Sequence, residues 1–395
     1  MTRKVPLQER PRNETTSLAC TSTQEESPLA LEPVRGLSGS TTVPGDKSIS
    51  HRALILGSLS SGVMKIRNLS PGEDVRSTWQ CLGQLGVGIE PLEEEVRLEG
   101  KAQGPLKEPE AVLDVGNSGT TIRLLAGLLA AQPMFSALTG DDSLRRRPMD
   151  RIVKPLRQMG AEIWGRENGR FAPLAIRGGR LSPIHYDSPI ASAQVKTALL
   201  LAGLFLEGET SFAEPYLSRD HTERMLRWYG VDVEQDGGRV SLCGGQKLIA
   251  PGRRLVIPGD FSSAAFPLVA ASIVPRSSVT LRNVGLNPTR TGLLDLLLQM
   301  GGLAAEAVAL DGGGTEDGAE GAGEPAGDLA VHAAGLHAVE VGGDLVVRAI
   351  DEFPVFAVLA TQAAGETVVR EAAELRVKES DRIATVAAEL RKMGA

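Results

Sequence analysis

VPGDKS, residues 43–48, returns almost unchanged as IPGDFS at residues 257–262. Both copies are Pro-Gly turns that lead into an apolar stretch, ALILG in one case and AAFPLVAA in the other. A second phrase recurs more often: CLGQLGVGIE, PLRQMGAEI, MLRWYGVDV, LLLQMGGLA and ELRKMGA. Its glycines are Gly86, Gly160, Gly230, Gly301 and Gly394, and the first three intervals are roughly 70 residues each. Before each phrase stands a small-polar start and an apolar helix, as in GDKSISHRALILGSL, GNSGTTIRLLAGLLA, SAQVKTALLLAGLFL, GDFSSAAFPLVAASI and DEFPVFAVLATQAAG. A short strand follows, then a second helix that closes on the phrase, where Gly supplies a left-handed C-cap. Two short strands come next, joined in one copy by the hairpin turn QDGG. The unit is therefore βαβαββ, and the near copies three units apart predict an α/β protein of two pseudo-equivalent domains. Four copies are followed by their hairpin, whereas the fifth ends on its helix cap at Ala395. That pattern predicts a chain shortened at its C-terminus, without the fifth hairpin and a sixth unit.

At 395 residues the chain exceeds the size of a single typical core, and its 42% hydrophobic content suits a globular protein. A net charge of -7 argues against nucleic acid as the main partner, but it permits a local basic pocket for small anions. Cys20, Cys81 and Cys243 are odd in number and lack disulfide or zinc spacing, which suits a reducing cytoplasm. Residues 1–35 are polar with mixed charge and no secretory h-region, and they read as a disordered tail. No apolar run reaches a membrane span; ALLLAGLFLEG is cut by Glu207. Residues 311–327, acidic and Gly-rich, lengthen the last interval and read as a flexible loop insertion.

The helix starts carry the chemistry. Lys47, Ser48 and Arg52 lie at the first, in PGDKSISHR. Asn117, Ser118, Gly119, Thr120 and Arg123 lie at the second, and Ser192, Ala193, Gln194 and Lys196 at the third. DDSLRRRPMDR adds Arg145, Arg146 and Arg147; YLSRDHTER adds Arg219, Asp220 and His221; LRVKESDR adds Arg376, Lys378, Glu379 and Arg382. Singly, each has an ordinary reading. PGDKSISHR is either a capped helix or an anion seat, RRR a solvated face, His221 a surface cap partner of Asp220, and KESDR a charged helix start. Together, several starts bearing cations and amide donors form what a multiply charged anion requires.

PGDKSISHR, GNSGT, SLRRRPM, SAQVKTALLLAGL, RDHTERM, GDFSSAAFPLVAA, NPTRTG, IDEFP and RVKESDR occur in the order and spacing of one family. From about Gly36 to its last residue the chain resembles the 5-enolpyruvylshikimate-3-phosphate synthases. The resemblance implies a two-domain enolpyruvyl transferase fold of six βαβαββ units, of which about five are present. It implies one discontinuous domain, residues 36–45 with 258–395, and a second of three units, residues 46–257. It further implies transfer of the enolpyruvyl group of phosphoenolpyruvate to the 5-hydroxyl of shikimate 3-phosphate, with neither metal nor organic cofactor. The expected protein is a cytoplasmic monomer whose partners are those two substrates, with neither nucleic acid nor membrane.

Carried over by motif, Lys47, Ser48, Arg52, Ser192, Ala193, Gln194, Arg219, Asp351 and Lys378 fall at shikimate 3-phosphate positions. Lys47, Gly119, Arg147, Gln194 and Arg382 fall at phosphoenolpyruvate positions. Asp351 matches the general base on the 5-hydroxyl, Glu379 the proton shuttle at C3, and Lys47 reaches both substrates. Gly119 implies sensitivity to the herbicide glyphosate. Two departures stand out: the third start reads Ser-Ala-Gln, one hydroxyl short, and the family's Asp-His-Arg segment is not in the chain. The second implies weak or no activity for these 395 residues, leaving a fragment that at most binds shikimate 3-phosphate as the alternative. The related UDP-N-acetylglucosamine enolpyruvyl transferases rely on a reactive loop Cys, and no cysteine here sits in a basic loop motif.

Overall fold

A computed structural model describes residues 33–302, the strand at 307–309 and residues 321–395. Most of the tail reading, on residues 1–32, and the Gly-rich reading, on residues 311–320, lie outside the described residues. The chain divides into the units Met1–Val34 and Arg35–Ala395, and every named element lies in the second.

Helices come in five pairs. The apolar first members are α1 (Lys47–Leu59), α3 (Gly119–Ala130), α6 (Ala193–Gly203), α8 (Phe261–Ile273) and α11 (Phe353–Ala360). The second members are α2 (Glu73–Gln84), α4 (Asp150–Gln158), α7 (His221–Trp228), α9 (Gly292–Gln299) and α12 (Arg382–Lys392). Two short turns, α5 (Arg166–Gly169) and α10 (Asp344–Arg348), complete the α-helices among the described residues. Four first members are capped by their small-polar start: Asp46, Ser118, Ser192 and Asp260 each accept from the N–H three residues on. All five second members end on the repeated phrase, whose glycines have φ of 84°, 101°, 82°, 79° and 90°. α3 and α6 pack with their backbones in contact, since a Cβ on Gly127 would lie 2.2 Å from the Ala198 carbonyl oxygen. No helix among the described residues is long and apolar enough to cross a membrane.

Four sheets share one topology: a parallel edge strand beside an antiparallel trio. In the first, β13 (Leu255–Val256) runs parallel to β2 (Val63–Arg67), which pairs with β4 (Glu95–Glu99) and then β3 (Gly88–Pro91). The second has β5 (Leu113–Asp114), β6 (Phe135–Thr139), β8 (Phe171–Arg177) and β7 (Glu162–Gly165) in the same relation. The third has β9 (His185–Asp187), β10 (Glu209–Ala213), β12 (Arg239–Cys243) and β11 (Glu234–Asp236). The fourth has β1 (Ser38–Thr42), β14 (Ser278–Gly285), β16 (Ala326–His332) and β15 (Ala307–Ala309). A fifth holds the parallel pair β17 (Glu340–Val341) and β18 (Val368–Val369).

The edge strands reveal an exchange. The chain starts in the fourth sheet with β1, passes to α1, and returns through β13 of the first sheet to α8. Both passages run through the repeated turns, which bond reciprocally: Asp46 N–H donates to the Pro258 carbonyl and Asp260 N–H to the Pro44 carbonyl, each at 2.8 Å. Buried apolar side chains accordingly form two clusters, one almost wholly between Ile49 and Ile257, the other between Phe261 and Leu375.

Two sequence readings shift. α12 begins at Arg382 behind its cap Asp381, so Lys378 and Glu379 precede the helix rather than start it. The C-terminal part of the Gly-rich stretch is packed: Ala322 and Glu324 are buried, and β16 starts at Ala326.

Candidate active site

The starts of α1, α3 and α6 meet through their side chains. Arg123, one turn into α3, donates to Gln194 Oε1 at 2.7 Å, and Gln194 Nε2 donates to Thr120 Oγ1 at 3.0 Å. Arg147 bonds Asn117 and Ser143, which holds its guanidinium against the first residue of α3. A Cβ on Gly119 would stand 3.0 Å from Arg123 and 3.2 Å from Arg147. Arg52 is buried, donating to Thr222 at 2.6 Å, Thr197 at 2.9 Å and the Ser48 carbonyl at 2.9 Å. Burial, partly offset by Glu223, lowers its pKa to about 10, and burial with Arg151 and Arg147 lowers that of Arg123 to about 10. Both stay charged at neutral pH. Lys47, half exposed, pairs with Asp74 at 3.0 Å.

A second cluster gathers on Asp351, at the turn before α11. Its Oδ1 accepts from Arg382 at 3.0 Å; Arg219 bonds Oδ2, and Arg290 lies 3.6 Å from that atom. Burial alone would raise the Asp351 pKa, but Arg219, Arg290, Lys378 and Arg382 hold the carboxyl well below the usual range. Burial lowers Lys378, and Arg219 and Arg382 reinforce it. Glu379 is lowered despite burial by hydrogen bonds from the backbone and from Arg382, which donates at 2.9 and 2.6 Å. Arg219, from the segment before α7, and the Arg151–Glu374 pair at 3.0 Å join this cluster to the first.

A model of the EPSP synthase family, 3-phosphoshikimate 1-carboxyvinyltransferase, matches residues 31–395. The chain belongs to this family. It is 56% identical over 362 residues to the 3-phosphoshikimate 1-carboxyvinyltransferase of Geobacillus kaustophilus, covering 92% of this chain and 82% of that protein. It is equally identical to the enzyme of that name from a Synechococcus strain, over 93% of this chain and 81% of that one. Among solved structures, the EPSP synthase of Acinetobacter baumannii superposes with a TM-score of 0.77 at 46% identity, over 90% of this chain and 78% of that chain. The enolpyruvyl transferase NikO of Streptomyces tendae, 19% identical with a TM-score of 0.64, shares the fold.

Within this EPSP synthase frame, the structure brings Lys47, Ser48, Arg52, Gly119, Arg147, Ser192, Ala193 and Gln194 to the three helix starts, and Asp351, Lys378, Glu379 and Arg382 to the opposite cluster. Three single-residue readings are corrected. Lys196 is no anion ligand: it is buried between Glu214 at 3.0 Å and Glu223 at 2.7 Å. His221 is no surface residue, because Glu324 and Asn287 from the far segment cover it, with its Nδ1 2.8 Å from Glu324. In RRR, Arg145 bonds Asp142 and the Gly140 carbonyl, so Arg147 alone faces α3. Arg290 and Glu352 carry no role in the sequence reading; their only signal there is a cation within NPTRTG and the adjacent carboxylates of IDEFP, and their contact at 3.1 Å comes from the fold. Cys81, buried, has its thiol pushed up to about 12 by burial and Asp114, unlike a reactive loop thiol.

Proposed function

We propose that the helix-start cluster and the Asp351 cluster are two faces of one active site that closes over shikimate 3-phosphate and phosphoenolpyruvate. As an EPSP synthase the chain transfers the enolpyruvyl group of phosphoenolpyruvate to the 5-hydroxyl of shikimate 3-phosphate and releases phosphate, within aromatic amino acid biosynthesis by the shikimate pathway. Lys47, Ser48, Arg52, Ser192, Ala193, Gln194, Arg219 and Lys378 hold shikimate 3-phosphate. Lys47, Gly119, Arg147, Gln194 and Arg382 hold phosphoenolpyruvate, with Arg147 and Arg382 able to fork onto its carboxylate or phosphate. Residues 36–45 with 258–395 act as one domain and residues 46–257 as the other. Cys81 and Cys243 are free thiols, which suits the cytoplasm.

The electrostatics support an exchange of partners. Lys47, Arg219 and Arg382 are paired with Asp74, Asp351 and Glu379 in the protein itself. Substrate anions take over these cations, which releases the three carboxylates and raises the pKa values of Asp351 and Glu379 toward those of a working base and acid. Asp351 then accepts the 5-hydroxyl proton as its oxygen bonds C2, while Glu379 delivers a proton to C3 and forms a tetrahedral ketal. Return of a C3 proton to Glu379, with the proton on Asp351 passing to the departing phosphate as the bond from C2 to the phosphate oxygen breaks, yields the enolpyruvyl ether and restores both carboxyl groups.

The observation that carries this reading is the convergence of Arg219 and Arg382 on Asp351. Asp351→Asn is expected to lower kcat by about 10²–10⁴ while retaining shikimate 3-phosphate binding in a titration. Wild-type phosphate release by that variant would overturn the assignment.

A further inference from the structure

Arg290, the arginine of NPTRTG at residues 287–292, lies behind Asp351 with its side chain only 5% exposed. It donates to Glu352 Oε1 at 3.1 Å and to Ser262 Oγ at 2.7 Å, and Ser262 in turn donates to the same Glu352 oxygen at 2.5 Å. The same guanidinium lies 3.7 Å from Asp260 and 3.6 Å from Asp351. Asp260 caps α8 and accepts from the Lys47 N–H at 3.1 Å, so the anchor of Arg290 is the crossing between the two repeated turns.

Three arginines lie within 4 Å of the Asp351 carboxylate, and they differ in what they are free to do. Arg219 and Arg382 are partly exposed and are assigned above to substrate anions. Arg290 is buried and tied to Glu352 and Ser262. We propose that Arg290 is a positioning residue for the transfer: it is the cation that stays with Asp351 when Arg219 and Arg382 turn to substrate, and it keeps that carboxylate in place through Glu352, Ser262 and Asp260. The proposal rests on Asp351 being the base. Arg290 acts through Asp351 and touches neither substrate.

The groups that face Asp351 are Arg219 from the segment before α7, Arg290 from the turn before α9, Lys378 from the segment before α12, Arg382 at the start of α12, and the adjacent Glu352. Removing the Arg290 charge leaves Asp351 beside Glu352 with less positive charge, so its proton is held to higher pH. The acid limb of the kcat profile, where the base becomes ionised, then moves upward.

The test uses the full chain with Arg290→Lys, Arg290→Gln and the charge-neutral double variant Arg290→Gln/Glu352→Gln, beside Asp351→Asn. The double variant avoids leaving Glu352 buried without its cation. Thermal unfolding confirms folding, and kcat, both KM values and the pH dependence of kcat are read for each. We expect Arg290→Gln to lose kcat by about tenfold or more, with both KM values nearly unchanged and the acid limb displaced to higher pH, and the double variant, which also removes the Glu352 charge, to keep the loss of kcat with a smaller displacement of the limb. Arg290→Lys, which keeps the charge, is expected to restore most of the limb position. A folded double variant with wild-type kcat and an unmoved limb, while Asp351→Asn is inactive, would overturn the Arg290 role alone. Loss confined to KM or to stability, with the limb unmoved, would overturn it in the same way. Full activity of Asp351→Asn would instead remove the base assignment and, with it, the role of Arg290.

Discussion

Gly119 sits at the first position of α3, where a Cβ would stand 3.0 and 3.2 Å from the guanidiniums of Arg123 and Arg147. Both are side-chain ends that can give way by a few tenths of an ångström, but one of them is assigned to phosphoenolpyruvate. Gly119→Ala is therefore expected to raise KM for phosphoenolpyruvate several-fold and to leave that for shikimate 3-phosphate near wild type; steady-state kinetics in both substrates check this. His51 shows a different single-residue effect. It is fully buried, bonds Thr78 at 2.7 Å, and has its pKa lowered from 6.5 to about 3 by burial, Lys47 and Arg52. Between those values the unfolded chain binds a proton that the native one refuses, so the native state loses stability as pH falls from 6.5 toward 3. His51→Asn removes this component, and its stability curve is expected to be flatter by about 3 kcal/mol between pH 6.5 and 4. Parallel denaturant titrations of both proteins across that range read the difference. A histidine beside Lys47 and Arg52 is visible in the sequence; its neutrality is not, because Thr78 and the burial come from elsewhere in the fold.

Among elements, α6 depends on a buried triad. Lys196 lies between Glu214 and Glu223, all three with side chains at most 1% exposed, and Glu214 also accepts from the Ser192 N–H at 3.0 Å and the Ser218 N–H at 2.8 Å. One lysine thus neutralises the carboxylate that steadies the start of α6. Lys196→Met leaves two buried carboxylates uncompensated and is expected to cost about 3–5 kcal/mol, seen as a lower denaturation midpoint. The element itself was legible: SAQVKTALLLAGL combines a Ser cap with an apolar face. The partners of Lys196 were not, since Glu214 and Glu223 follow it by 18 and 27 residues across β10 and into α7. The same limit applies to KESDR, where the i,i+3 pair of Glu379 and Arg382 was readable but the cap at Asp381, which leaves Glu379 outside the helix, was decided by local backbone geometry.

At the scale of the whole molecule, the two apolar clusters are joined through the reciprocal turns at Gly45 and Gly259. A Cβ on Gly45 would fall 1.8 Å from the Asn68 carbonyl oxygen, too close for backbone atoms to yield cheaply. Gly45→Ala is expected to destabilise by about 1–3 kcal/mol, whereas Gly88→Ala, with ordinary contact at 3.8 Å, stays within about 0.5 kcal/mol. Thermal melts of the two variants separate them. By itself the sequence determined the repeating unit, its capped apolar helices, its left-handed Gly stops and the inventory of cations, because each rests on neighbours close along the chain. Tertiary structure alone decided that β1 and β13 exchange sheets, that Lys196 is neutralised while Arg52 is held on hydroxyls, and that Arg219, Arg290 and Arg382 meet on Asp351. The available charge of a side chain depends on which distant groups and how much water surround it, and the linear order of residues does not contain that.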